Sequence, residues 1–447
     1  MTRLLKVAAA ATAAMVALAA GGGGSSDKST SGTSGSGSVS PADVTAALAK
    51  GGSLTVWAWD GTIKDVVTGF EAKYPNVKVN LVNAGTGDKQ YTALQNAIAA
   101  GNGVPDVAQI EYYALSQFAL AKSVADLGGY GASGLQSSFT PGPWNAVTTG
   151  GSSVYGLPLD SGPMALFYNK KVFDKYGISV PTTWADYVAD ARKLHTADPK
   201  VYMTADTGDA GFTTSMIWQA GGKPYTVSGT NVTINLADPG STKFATTWQP
   251  MITEKLVSPI APWTDEWFKA LGDGTIASLA TGAWMPGNLA SGAAAGNGNW
   301  RAAPMPQWDA GASASAENGG SSLAVPDKST NKALAYAFVK YASVDEGKDI
   351  RIKGGAFPST TADLTSSAFL NTPFPYFGGQ KANEIFAKSA QDVVPGWTYL
   401  PFQVYSNSIF NDTVGKAYVS STTLADGLKA WQDQSAKYGT EQGFTVK

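Results

Sequence analysis

Carboxylates and indoles are the side chains here with chemistry to offer, and several stand where apolar runs end. Trp59-Asp60 closes the run that starts at Leu54, Glu111-Tyr112 follows Pro105–Ile110, and Asp160 lies within GLPLDSGPMALFYNK, residues 156–170. A charged carboxylate accepts hydrogen bonds more strongly than a neutral group, and an indole presents a flat apolar face with a polar tip. The chain has 13 Trp, 18 Tyr and 17 Phe, more than a core strictly needs. Trp263, Trp284, Trp300 and Trp308 lie among Gly, Pro and Asn rather than at helical spacing, which makes them candidates for ligand-facing walls. Trp267 is different, because Phe268 and Leu271 follow it as a helix face would. Gly319-Gly320 would let something approach the backbone closely.

Other chemistries are poorly supplied. There is no cysteine, which excludes disulfides, thiolate metal sites and a cysteine nucleophile. The single histidine, His195, falls at a helix end, where the dipole favours a cation, and leaves most metal and triad schemes without parts. Asp206 and Asp209 share a Gly-rich loop without calcium-loop spacing and read as turn formers. No metal and no cofactor are expected. Net charge is −2 with no basic stripe, which argues against a nucleic-acid partner.

The elements that must position these residues follow from periodicity. The 447 residues, 43% hydrophobic and 15% charged, suit two or more globular units. Leu54–Trp59 reads as a strand, followed by a helix with Ile63, Val66, Val67 and Phe70 on one face. Val77–Val82 is a second strand, a helix carrying Tyr91, Leu94 and Ile98 follows, and Pro105–Ile110 is a third strand. Strands alternating with helices indicate a parallel, doubly wound α/β sheet. Ligands of such sheets bind beyond the carboxyl ends of the strands, which singles out Trp59, Asp60, Glu111 and Tyr112. Pro158 and Pro163 keep the stretch around Asp160 out of a helix and stretch it, before Met164–Tyr168 forms a buried strand. That pattern suits a crossing between two bodies with Asp160 at the cleft, or an ordinary loop before a strand. Gly354–Pro358 is a second candidate crossing.

The amino end has Arg3 and Lys6, a short apolar run and Ala17-Leu18-Ala19, the pattern of an export signal over residues 1–20. Residues 21–52 are expected to form a tether, nearly all Gly, Ser and Thr as far as Ser40. Leu18-Ala19-Ala20-Gly21 resembles the box that directs lipid attachment in bacterial lipoproteins, with Gly21 in place of the cysteine. The expected place is therefore outside the cytoplasm, soluble as given, and lipid-anchored were residue 21 cysteine.

Several stretches together resemble one family. They are LTVWAWD, FEAKYPNVKV, AIAAGNGVPDVAQIEYYAL, GLPLDSGPMALFYNKKVFDKYGISVPTTWADY, MIWQAGG, GAWMPGNL, RAAPMPQW, ENGGSSLAVPD and GGAFPST, in this order. The chain is similar to the extracellular solute-binding proteins of family 1, the carbohydrate-binding, maltose-binding-protein-like components of bacterial ABC importers. The resemblance implies a type II periplasmic-binding-protein fold, two α/β lobes each with a doubly wound sheet, and an oligosaccharide held between them. It places an N-terminal lobe at 53–159 and 319–356 and a C-terminal lobe at 160–318 and 357–447. The ligand-binding positions it implies are Trp59, Asp60, Glu111, Tyr112, Asp160, Trp284, Gly319 and Gly320, with Trp263, Trp397 and Asn407 added by neighbourhood. Trp218 reads as core. The implied partners are a di- to tetrasaccharide and a membrane permease, and a monomer without enzymatic activity is expected. A glycan hydrolase, a surface lectin and a binder of another solute class are the alternatives. A hydrolase needs two carboxylates flanking the scissile bond, and no pair at suggestive spacing stands out.

Overall fold

A computed structural model describes residues 39–149, 151–206 and 208–447. The signal peptide and the Gly/Ser-rich part of the tether up to residue 38 lie outside the described residues. The tether, expected to run to residue 52, ends earlier, because Pro41–Lys50 is a helix. Ser40 and Asp43 form a capping box at its start, Pro41 occupies its first turn, and alanines favour its interior. Val44, Ala47 and Leu48 pack against the first core cluster.

Eight strands make the two main sheets: β1 (Gly52–Trp57), β2 (Val77–Val82), β3 (Val107–Glu111), β4 (Leu157–Pro158), β5 (Met164–Asn169), β6 (Ser278–Gly282), β7 (Trp300–Ala303) and β8 (Ser321–Ala324). The first sheet has the order β2-β1-β3-β8-β4. β1 runs parallel to β2 and β3, with helices as crossovers, while β8 runs antiparallel to β3 and β4. The second sheet, β6-β5-β7, has both outer strands antiparallel to β5, so its winding differs from the parallel start of the first. β5 reads as an unbroken apolar run because its Met164–Phe167 stretch is buried on both faces.

The buried apolar side chains fall into separate clusters. The first draws on residues 54–159 and 323–342. The other two draw on 164–316 and on 357–431. Burial on this scale, at roughly 25 cal/mol per Å² of apolar surface, is what holds each body together. The first cluster is the core of one body, and the other two, which share β5, belong to a second; the chain crosses from the first cluster to the others along two neighbouring segments. Leu159 N donates to Ser321 O at 2.8 Å, Asn318 N to Gly162 O at 2.7 Å, and Met164 N to Ala316 O at 3.0 Å. Gly162 is required here, since a Cβ would stand 2.2 Å from Asn318 O. A third passage leads from the helix Glu346–Lys353 to Phe357, which lies in the third cluster.

Candidate functional site

Gln109 fixes the first wall. Buried in β3, it accepts through Oε1 from the backbone N of both Trp59 and Asp60 at 3.0 Å and donates to Ser321 Oγ at 2.9 Å. The turn after β1 is thereby pinned to β3, and Trp59 faces a cleft of about 680 Å³. Its ring meets Tyr91 edge-on at 6.3 Å. Glu111, at the end of β3, lines the same cleft. Tyr91 Oη donates to Glu111 Oε2 at 2.8 Å and accepts from Glu111 N at 2.9 Å. Burial pushes the Glu111 carboxyl up to about 7, although hydrogen bonds from Tyr91 and Tyr113 pull the other way.

The opposite wall comes from the second body. Trp284 lines the cleft, and its Nε1 donates to Asn318 O at 2.7 Å. Trp263 lies against it, ring centroids 5.7 Å apart and planes 30° apart. Trp263 is 55% exposed and has a φ of 66°, a left-handed backbone that a large residue rarely adopts. Strain of this kind gathers at ligand clamps and active sites. Asp209 caps the helix Ala210–Gln219, accepting from Phe212 N at 2.6 Å, and also opens onto the cleft. The protein packed around Asp209 raises its pKa, against the pull of hydrogen bonds from Phe212 N and Gly211 N. Asn407 and Gly319 line the cleft as well, and Gln403 Nε2 donates to Asn407 Oδ1 at 2.9 Å.

Trp59, Glu111, Trp263, Trp284, Gly319 and Asn407 are thus brought together around one space, and the remaining expected positions are not. Asp60 pairs with Arg351 at 2.9 Å and accepts from Thr62 N and Oγ1. Burial alone would raise its pKa, but Arg351 and the Thr62 hydrogen bonds outweigh that and hold it below the ordinary value. Asp160 spends Oδ1 on Ser321 N at 2.6 Å and Ser321 Oγ at 2.9 Å, bracing the passage between bodies. Tyr112 is only 3% exposed and donates to Asp160 O at 2.6 Å. Gly320 packs under the Tyr112 ring, where a Cβ would meet it at 2.6 Å. Trp397 is stacked on Trp218, 5.0 Å apart and 6° from parallel, and sits behind the cleft-lining Tyr399 rather than in the lining itself.

Reasoning from sequence missed Tyr113, Asp88, Asn318, Tyr399 and Asn288, and took Asp209 for a turn former only. The signal for Tyr113 was helical phase. Tyr112 and Tyr113 open one helix about 100° apart, so one faces the core and the other the cleft. Asn318 could have been found from its place beside Gly319. Among the described residues no three His, Cys, Asp or Glu side chains are grouped so as to hold a metal ion. No helix among the described residues is long and apolar enough to cross a membrane.

Comparison with known proteins bears on what the cleft holds. Residues 58–349 match the family model described as bacterial extracellular solute-binding protein. The chain is 27% identical to the lactose-binding protein of Rhizobium radiobacter over 417 residues, 88% of this chain and 94% of that one. It is 46% identical to the ABC transporter associated binding protein of B. animalis subsp. lactis Bl-04, solved with beta-1,6-galactobiose, with a TM-score of 0.82 over 88% of this chain and 99% of that one. The galacto-N-biose-/lacto-N-biose I-binding protein of Bifidobacterium longum shares the fold, with a TM-score of 0.77 at 24% identity over 89% of this chain and 99% of that one.

Proposed function

The chain belongs to the bacterial extracellular solute-binding protein family, and from that premise we propose that it captures a short oligosaccharide as the substrate-binding component of an ABC sugar importer. The observation that carries this reading is the cleft itself, with Trp59 on one body and Trp263 and Trp284 on the other. A sugar ring has apolar C–H faces and a rim of hydroxyls. Indole plates remove the faces from water, and the carboxylates and amides between them satisfy the rim. About 680 Å³ lies within the range of roughly 300–1,000 Å³ usual for small-molecule sites, and suits a di- to tetrasaccharide.

The bodies divide at 159/160, 318/319 and 356/357 in this reading, in keeping with the residue ranges of the core clusters. Because ligand touches both, it favours the closed arrangement over the open one, and the importer's permease would engage that closed form. The work is done outside the cytoplasm by a monomer that releases its ligand unchanged. The lactose-binding relative and the 46%-identical protein solved with beta-1,6-galactobiose turn the choice of ligand towards β-linked galactosyl disaccharides.

Calorimetry and tryptophan fluorescence with beta-1,6-galactobiose, lactose and longer oligosaccharides test the proposal. Saturable heat and a fluorescence change are expected, with the sugar recovered intact. No heat from any of them would refute binding, and released monosaccharide would move the reading to a hydrolase.

A further inference from the structure

The cleft contains acidic side chains and no basic one. Asp88, Glu111 and Asp209 line it, while no Lys, Arg or His among the described residues does so. Arg351 is held elsewhere, by Asp60 Oδ2 at 2.9 Å and by Leu159 O. The helix Ala210–Gln219 points its amino end at the cleft, a place that ordinarily welcomes an anion. Here the protein's own Asp209 takes that role through the Phe212 N hydrogen bond at 2.6 Å. The remaining polar lining, such as Asn288, Asn318 and Gln403, is uncharged. Like charges already work against each other here: after burial and its tyrosine partners, Asp160 at the neighbouring passage and Asp88 in the cleft also push the Glu111 carboxyl upward. A further anion would enter without a counter-charge, whereas a neutral hydroxyl would find acceptors and an ammonium would find partners.

Resting on the oligosaccharide reading above, we propose that charge selects among ligands: the cleft admits neutral disaccharides, favours those that carry an ammonium group, and rejects those that carry a uronate, sulfate or sialyl group.

Calorimetry on the full chain tests this with four ligands of one skeleton. They are beta-1,6-galactobiose, its uronate at C6 of the non-reducing ring, the neutral uronamide of the same shape, and the 2-amino-2-deoxy analogue. The uronate is expected to bind about tenfold or more weakly than the uronamide, the scale of one uncompensated charge in a wet cleft. The ammonium analogue is expected to bind several-fold more tightly than the parent sugar, less so as salt is added. Asp209→Asn and Asp88→Asn should each narrow the gap between uronate and uronamide. Equal binding of uronate and uronamide, with the parent sugar still bound, would overturn charge selection and leave sugar capture standing. If neither C6 derivative binds, the amine arm decides, and an ammonium that binds no better than the parent overturns the proposal. Silence from all four ligands would remove the sugar reading and this inference together.

Discussion

The passage between the bodies and the cleft beside it are both rich in carboxylates, and they use them in opposite ways. At the passage every carboxylate is engaged by the protein. Asp60 has Arg351, Asp160 has Ser321, and Glu317 accepts from Ser161 Oγ at 3.0 Å and Gly162 N at 2.6 Å. In the cleft, Glu111 and Asp209 also have protein partners, Tyr91 Oη and Phe212 N, yet both line the open space and have no cation beside them. Nearness in sequence to a strand end therefore does not decide whether an acid serves ligand or frame. Whether the residue still lines the open cleft does.

Arg351→Met probes that division hardest. It would leave Asp60 buried without its cation, and breaking a buried pair from one side costs about 3–5 kcal/mol. The expected result is a large fall in the urea midpoint, measured without ligand. An unchanged midpoint would show that Asp60 is solvated and free, and would return it to the list of ligand contacts.

The two tryptophan pairs repeat the contrast in apolar form. Trp397→Ala removes a half-buried plate stacked on Trp218 and should lower stability by about 2 kcal/mol, below the ~3–5 of a fully buried ring. Its affinity for beta-1,6-galactobiose should stay as it was. Trp284→Ala should reverse the pattern, weakening binding by about 2 kcal/mol, or roughly thirtyfold, as expected of an aromatic anchor. A Trp397→Ala variant that loses affinity would erase the distinction between the pairs.

These pairs also mark how far the sequence could be read. The strands around Val56, Leu81 and Ile110 and the passage near Gly162 were legible, because period-two alternation, unbroken apolar runs and paired prolines are local signals. The helix Pro41–Lys50 was hidden by its Gly/Ser-rich neighbour, although Ser40, Pro41 and Asp43 spell a helix start. For the site, Trp59, Glu111 and Trp284 were legible because each stands at the end or edge of an element facing the gap. Asp60 and Trp397 do not line the cleft, because their partners, Arg351 and Trp218, come from remote parts of the chain. No local spacing encodes a stacking partner of that kind.

Glu111 and Asp60 should also respond to pH in opposite senses, although burial raises the other two passage acids, Asp160 and Glu317, as it does Glu111. The Glu111 carboxyl has an ordinary value of 4.5 and is pushed to about 7 in the fold, so the folded chain keeps a proton that the unfolded chain has lost. Stability from this group therefore falls as pH rises from 4.5 towards 7. Asp60, held below its ordinary 3.8, does the reverse: its contribution is present above that value and is lost as pH falls through the lowered one. Glu111→Gln should match the parent protein near pH 4.5 and gain relative to it by pH 8. Allowing for the solvent in the cleft, the gain is about 1 kcal/mol. Urea midpoints of both proteins across that range give the answer, and a difference that is flat with pH would place the Glu111 carboxyl in open water.

Asp209→Asn separates the two regions with the smallest change. Asp209 has two roles, capping the helix Ala210–Gln219 and adding charge to the cleft. Asparagine caps a helix about as well as aspartate, so the hydrogen bond from Phe212 N survives and the charge does not. Stability should stay within about 0.5 kcal/mol, the scale of a surface change. Asp209→Ala, by contrast, loses the cap as well and should cost about 1 kcal/mol. If Asp209→Asn unfolds as readily as Asp209→Ala, the charge itself supports the helix, and Asp209 belongs with the acids of the passage. If the two variants differ as expected, the cap is structural, and the charge that asparagine removes is left to act on what enters the cleft.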